Sequence, residues 1–301
     1  MGGSSLFPSG GAARTTDGAL LVAWRRGGDR EGLGTSAHVA LVHDGAVTDG
    51  PEMHLSRPAV GVANAVPVVL ADDELLVSTV VEGVVASAIG RTGRVLVPAE
   101  GTIVSPSRVL ALDDTRFVVA WNEQLDGEHA RTRIAIASAT GDALVRTVFE
   151  TVEEIVQPIA VTVSGGDIWI ARFERRLDAL EASILRVAHL DTTLQRIDPD
   201  RWLGGWGGFS PRNLSLVALD GRPWLVWVSA DTRYGRLHVV HASPLPLEAC
   251  GRDVGAAAIE LPSTWRGELD LVAAASRTSI WLAVASNYPT SEATTYALTL
   301  P

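Results

Sequence analysis

The chain has 301 residues, 47% hydrophobic and 20% charged, with a formal net charge of −10. That is enough apolar material for a large buried core, and the negative balance argues against nucleic acid, whose binding rests on neutralising phosphates. All 25 basic residues are arginine, which excludes lysine Schiff bases, lysine general bases and the lysine of a phosphate-binding P-loop.

A strand, a tight turn and a second strand recur along the chain, and this repeat organises everything else. The first copy is Asp17-Gly-Ala-Leu-Leu-Val-Ala-Trp24, preceded by Ser4 to Phe7, where one more strand is expected. A weaker copy follows at Asp73-Glu-Leu-Leu-Val-Ser-Thr79. In the third, Val109-Leu-Ala-Leu112 leads into Asp114-Thr-Arg-Phe-Val-Val-Ala-Trp121, and a polar loop precedes another strand at Arg133-Ile-Ala-Ile-Ala137. The fourth runs through Ile159-Ala-Val-Thr-Val163, Gly165-Gly-Asp-Ile-Trp-Ile-Ala171 and Ile184-Leu-Arg-Val-Ala188. Between its last two strands, Glu174 to Glu181 have the composition of a single helical turn, too short to alter the class. The fifth is Leu214-Ser-Leu-Val-Ala218, Asp220-Gly-Arg-Pro-Trp-Leu-Val-Trp227 and Leu237-His-Val-Val-His241. The sixth is Leu269-Asp-Leu-Val-Ala273, then Ser276-Arg-Thr-Ser-Ile-Trp-Leu-Ala283, and it ends at Thr295-Tyr-Ala-Leu-Thr-Leu300 with three strands.

The turns, at positions 17, 73, 114, 165, 220 and 276, recur every 41 to 56 residues. That spacing suits four-stranded propeller blades. Asp-Gly and Gly-Gly tolerate positive φ and so mark hairpin turns, while β-branched, alternating runs mark the strands. The expectation is an all-β chain: a single domain over residues 1–301, folded as a six-bladed β-propeller of four-stranded blades. Ser4 to Phe7 would add the missing outer strand of the last blade, close the ring and remove an exposed sheet edge.

The repeat resembles the Trp-ending blades of bacterial propeller-repeat proteins and is broadly similar to sialidase-like and lectin-like six-bladed propellers. It departs from them in motif: the sialidase Asp-box, Ser-x-Asp-x-Gly-x-Thr-Trp, is absent, and so is any repeat of the fucose-binding lectins. The resemblance implies the architecture over nearly the whole chain.

Propellers carry function on the face where loops joining blades, and loops joining second and third strands, emerge. Two groups of residues fall there. Arg57, Arg108, Arg212 and Arg266 each precede an innermost strand, and guanidinium forks at one opening can grip a carboxylate, sulfate or phosphate. Sialidases hold a sugar carboxylate with three arginines, so the resemblance points the same way. Trp24, Trp121 and Trp227 end matching second strands, where an indole can stack on a sugar ring or pack between blades. Trp202 and Trp206 lie in a glycine-rich loop, and Asn213 follows Arg212. A small anionic or carbohydrate ligand is the first reading.

An enzyme on the same face is the alternative, either a sialidase-like glycoside hydrolase or a lyase or cyclase acting on a carboxylate-bearing substrate. Glu123 and Asp231 lie beyond matching tryptophans and can form an acid–base pair, and Tyr234 or Tyr288 beside a carboxylate permits a tyrosine nucleophile. A protein-interaction platform on the outer surface is a third option, without a sequence signature. Seven histidines show no metal-ligand spacing, although Asn122, Asn213, Glu123 and Asp231 offer scattered oxygens for calcium or magnesium. No metal and no cofactor are assigned. Cys250 is alone, so it makes neither an internal disulfide nor a thiolate metal site. No run approaches the roughly 18 apolar residues of a membrane span, and Met1 to Pro8 lack the regions of a signal peptide.

Overall fold

The computed structural model describes residues 10–26, 35–55, 64–71, 73–80, 83–89, 94–103, 108–125, 129–151, 159–175, 183–203, 209–231, 238–245, 257–261, 269–276, 278–286 and 292–299. Every regular element in them is a β-strand, and the strands form six antiparallel sheets. Among the described residues no helix is long and apolar enough to cross a membrane. The chain divides into two compact units, Met1–Glu150 and Thr151–Pro301, each built around three sheets.

In the first unit, sheet one is β1 (Gly10–Arg14), β2 (Leu20–Arg26), β3 (Thr35–His43) and β4 (Ala46–Leu55), paired in that order. Sheet two is β5 (Asn64–Val69), β6 (Glu74–Val80), β7 (Gly83–Ala88) and β8 (Arg94–Pro98). A short strand, β9 (Thr102–Ile103), then joins sheet three, whose main path is β10 (Arg108–Ala111), β11 (Arg116–Gln124), β12 (Ala130–Ser138) and β13 (Ala143–Thr151). The first strands lie side by side, β1 against β5 and β5 against β10.

The second unit repeats the plan. Sheet four is β14 (Ile159–Ser164), β15 (Asp167–Arg175), β16 (Ser183–Leu190) and β17 (Arg201–Leu203). Sheet five is β18 (Phe209–Leu219), β19 (Arg222–Asp231), β20 (His238–Pro244) and β21 (Ala257–Glu260). Sheet six has three strands among the described residues, β22 (Leu269–Ala275), β23 (Ser279–Ser286) and β24 (Glu292–Thr299). Here β18 lies between β14 and β22. Ser4 to Phe7, the expected closing strand, lie outside the described residues, as does Cys250. Glu174 and Arg175, read from sequence as the start of a helical turn, are instead the last residues of β15, because pairing with β16 continues to Arg175.

Local chemistry explains the turns. Gly165-Gly166 (φ 65° and 88°) and Asp220-Gly221 (φ 50° and 70°) both place two central residues at positive φ, the two-residue hairpin whose twist matches its strands. Sheet three turns differently. There Asp113 accepts hydrogen bonds from the backbone N–H groups of Thr115 (2.9 Å) and Arg116 (2.8 Å) and from the Arg116 side chain. Desolvation opposes ionisation of Asp113, but these bonds outweigh it and draw its pKa down to about 2.

Side chains from neighbouring sheets interdigitate to make the core. Val68, Leu75, Val77 and Val84 of sheet two pack with Phe117, Val119, Trp121 and Ala135 of sheet three. In the second unit, Phe173, Leu185 and Val187 meet Leu216, Leu225 and Trp227, and Val226, Val228 and Val240 meet Ile280, Leu282 and Val284. Strand β11 is buried from Phe117 through Glu123 on both faces. This is why Phe-Val-Val-Ala-Trp reads as an unbroken apolar run and not as an alternation.

Candidate functional site

Antiparallel pairing puts the start of each first strand and the finish of each second strand at the same end of a sheet. Sheet three shows this end in most detail. Arg108 is the first residue of β10 and faces Ala120 of β11, one residue before Trp121. It is half-buried, and desolvation draws its pKa below the ordinary arginine value. Beyond Ala120, β11 takes β9 as its partner, with Glu123 opposite Ile103 and Gln124 opposite Thr102.

Trp121 and Glu123 are two residues apart on one strand and therefore share a face. Both are fully buried. The Trp121 indole N–H donates to Glu123 Oε1 at 2.8 Å, and Arg133 Nη1 donates to the same oxygen at 3.3 Å. Arg131 donates to Glu123 Oε2 from Nε (3.0 Å) and Nη2 (2.8 Å). Arg133, directly across from Trp121 in the β11–β12 register, holds its guanidinium 5.4 Å from the indole centroid. Glu100 closes the outer side, with Oε2 2.7 Å from Arg131 Nη2 and Oε1 3.3 Å from Arg133 Nη2.

Two carboxylates thus balance two guanidinium groups, which is what burial of charge requires. The hydrogen bond from Arg131, then the nearby charges of Arg133 and Arg131, hold Glu100 below its ordinary carboxylate range. Burial pulls Arg131 down, but its bonds to Glu100 and Glu123 outweigh that and leave it raised. Glu123, a sequence-predicted acid or base, sits inside this network with both oxygens engaged. On the opposite face of β11, Asn122 Oδ1 accepts from Thr132 Oγ1 at 2.6 Å, and the buried Asn122 Nδ2 has no hydrogen-bond partner among the described residues.

The matching end of sheet five is longer. Arg212 faces Val228, Asn213 is the extra residue of a bulge between Arg212 and Leu214, and Asp231 faces Phe209. Trp227 is buried and stacked on His241 of the next strand, ring centroids 5.1 Å apart and planes 13° apart. Burial pushes the His241 pKa down to about 4.

The same cross-strand pair recurs. Trp24 stacks on His38 in sheet one (5.6 Å, 19°), with the indole 42% exposed. In sheet four, Trp169 stacks on His189 (3.9 Å, 14°), whose ring nitrogens lie 2.9 Å from Asp198 Oδ2 and 3.1 Å from Asp167 Oδ2. Trp202 is the middle residue of β17, opposite Arg186. Arg57, Arg266, Trp206, Tyr234 and Tyr288 lie outside the described residues.

Sequence reading singled out the tryptophans but missed the groups that face them. Arg133, His38 and His241 all lie in third strands, directly across from a second-strand tryptophan. That alignment becomes visible only once the lengths of the connecting loops are resolved into a register. Nothing in the local sequence joins Glu100 to Arg131, 31 positions away.

No protein-family model matches the chain, and no curated protein matches it. Solved structures do. An α-L-arabinanase from Penicillium chrysogenum, complexed with arabinobiose, is 12% identical with a TM-score of 0.53, covering 97% of this chain and 93% of its own. A subtype N10 neuraminidase-like protein of A/little yellow-shouldered bat/Guatemala is 10% identical with a TM-score of 0.58, covering 97% and 94%. A subtype N11 neuraminidase-like protein of A/flat-faced bat/Peru is 11% identical with a TM-score of 0.54, covering 97% and 86%. The fold is a six-bladed β-propeller. Its six sheets are the blades, and at 10–12% identity the likeness concerns architecture alone.

Proposed function

We propose that this propeller binds a small anionic or carbohydrate ligand at the blade ends where first strands begin and second strands finish. The observation that carries this reading is Arg108. A guanidinium held desolvated at the first residue of an inner strand attracts an anion more strongly than one in water, because little solvent competes for its charge. Arg212 occupies the corresponding strand of blade five, and Arg57 and Arg266 precede the first strands of blades two and six in sequence. The arabinanase likeness adds a precedent for a sugar ligand on this architecture, at the level of fold. A hydrolase relying on Glu123 is less well supported, because that carboxylate would have to leave Arg131, Arg133 and Trp121 before reaching a substrate.

The test is calorimetric titration of the full chain with a panel of anionic sugars and small organic acids. The wild type binds at least one member, and Arg108→Gln weakens that binding tenfold or more. Silence of the wild type across the whole panel overturns the reading.

A further inference from the structure

Blade three carries a pair of arginines on its third strand, across β11 from the first strand that begins with Arg108. The donors of Arg133 are only partly used. Its Nη1 is 3.3 Å from Glu123 and 3.5 Å from the Pro98 carbonyl, its Nη2 is 3.3 Å from Glu100, and its buried Nε has no hydrogen-bond partner among the described residues. Arg131, by contrast, is held at 2.7–3.0 Å throughout. Well-formed bonds between guanidinium and carboxylate are about 2.7–2.9 Å long, so Arg133 has room to gain from a better-placed acceptor.

The group on the solvent side is Glu100. It is 57% exposed, whereas the arginine side chains beneath it are 12% and 9% exposed. Among the described residues it contacts the Nη2 of each arginine, from the turn between β8 and β9. Beneath the guanidinium groups, Glu123 and the Trp121 ring fix their positions. With Glu100 in place the four charges cancel; with Glu100 turned away, one positive charge remains, and both Nη2 atoms lose their outer acceptor.

We propose that Arg131 and Arg133 form a binding site for the carboxylate of a small molecule, and that Glu100 is its resident occupant, displaced when the ligand arrives. The incoming carboxylate takes the Nη2 contacts that Glu100 releases, and no covalent bond changes. A tethered competitor acts at an effective concentration of order millimolar. It therefore masks the site in the wild type and admits only ligands that bind better than a lone carboxylate. This site is on the third strand, whereas the one proposed at Arg108 is on the first, at the same end of the sheet.

Calorimetric titrations of the full chain with sodium glucuronate and sodium acetate, at ionic strength fixed with sodium chloride, test this. Glu100→Ala should bind glucuronate at least tenfold more tightly than the wild type. The gain should survive Arg108→Gln and disappear when Arg133→Gln is added. Because Arg133→Gln disturbs a buried network, the side-chain N–H resonances of Arg131 and Arg133 provide a second readout, and in Glu100→Ala they should shift on adding glucuronate. Preference for glucuronate over acetate identifies a sugar acid, and equal affinity identifies a simple organic acid; either supports the site. Equal affinity of wild type and Glu100→Ala for both probes overturns it. So does a gain that vanishes with Arg108→Gln, which would place the anion on the first strand at Arg108.

Discussion

Trp121 in blade three and Trp227 in blade five occupy the same place in the repeat, and both are buried under a group from the neighbouring strand. Over Trp121 lies Arg133, a fixed cation. Over Trp227 lies His241, whose pKa of about 4 leaves it neutral at pH 7. The carboxylate marks the difference. Blade three buries Glu123 against its arginines, whereas burial lowers the His241 pKa and leaves the ring neutral. One backbone position therefore supports two electrostatic solutions, and the choice is made by a side chain two residues further along the second strand.

The comparison is broken most severely by removing that side chain. Glu123→Ala leaves the exposed Glu100 as the one carboxylate on Arg131 and Arg133 among the described residues, and loss of one partner from a buried ion pair costs about 3–5 kcal/mol. Urea denaturation should show a drop of this size. A loss below about 1 kcal/mol would mean that water already solvates the arginines, and the contrast with His241 would disappear.

A smaller effect is expected from pH. His241 has a folded pKa of about 4 against an ordinary value of 6.5, so its burial contributes fully above pH 6.5, where the imidazole is neutral in both states. As pH falls from about 6.5 towards 4 the unfolded chain takes up the proton first, and stability declines by at most about 3 kcal/mol. His241→Gln should flatten this part of the stability–pH profile. An unchanged profile in His241→Gln would show that the ring is hydrated in the fold.

Much of this architecture was legible in the sequence. The Gly165-Gly166 and Asp220-Gly221 turns were readable because their positive φ selects those residues, and the strands beside them because β-branched runs have little other use. The tryptophan positions were equally visible. Their surroundings were not: Trp121 and Trp227 are sealed while Trp24 is 42% exposed, although all three end similar apolar strands. Burial of a strand end depends on what crosses it from elsewhere, such as β9 over Glu123, and a two-residue strand leaves almost no periodic signal. The Glu100–Arg131 pair escaped for the same reason, since two polar loop-side residues far apart in sequence read as solvated charges.

The smallest effect separates the two carboxylates of blade three. Glu100 and Glu123 contact the same two arginines, yet Glu100 is 57% exposed and Glu123 is fully buried. Water already screens the outer carboxylate and can replace it on the guanidinium groups, so Glu100→Ala should cost far less than Glu123→Ala. The inner carboxylate keeps its four donors when Glu100 is gone, and none of them is stranded. A double-mutant cycle between Glu100→Ala and Glu123→Ala, followed by urea denaturation, measures how far the two depend on each other. With Glu123 absent, Glu100 becomes the only carboxylate on the arginines among the described residues, so its removal should then cost more than it does in the wild type. Losses that simply add would mean that each glutamate holds its own arginine separately, and the four charges would no longer act as one network.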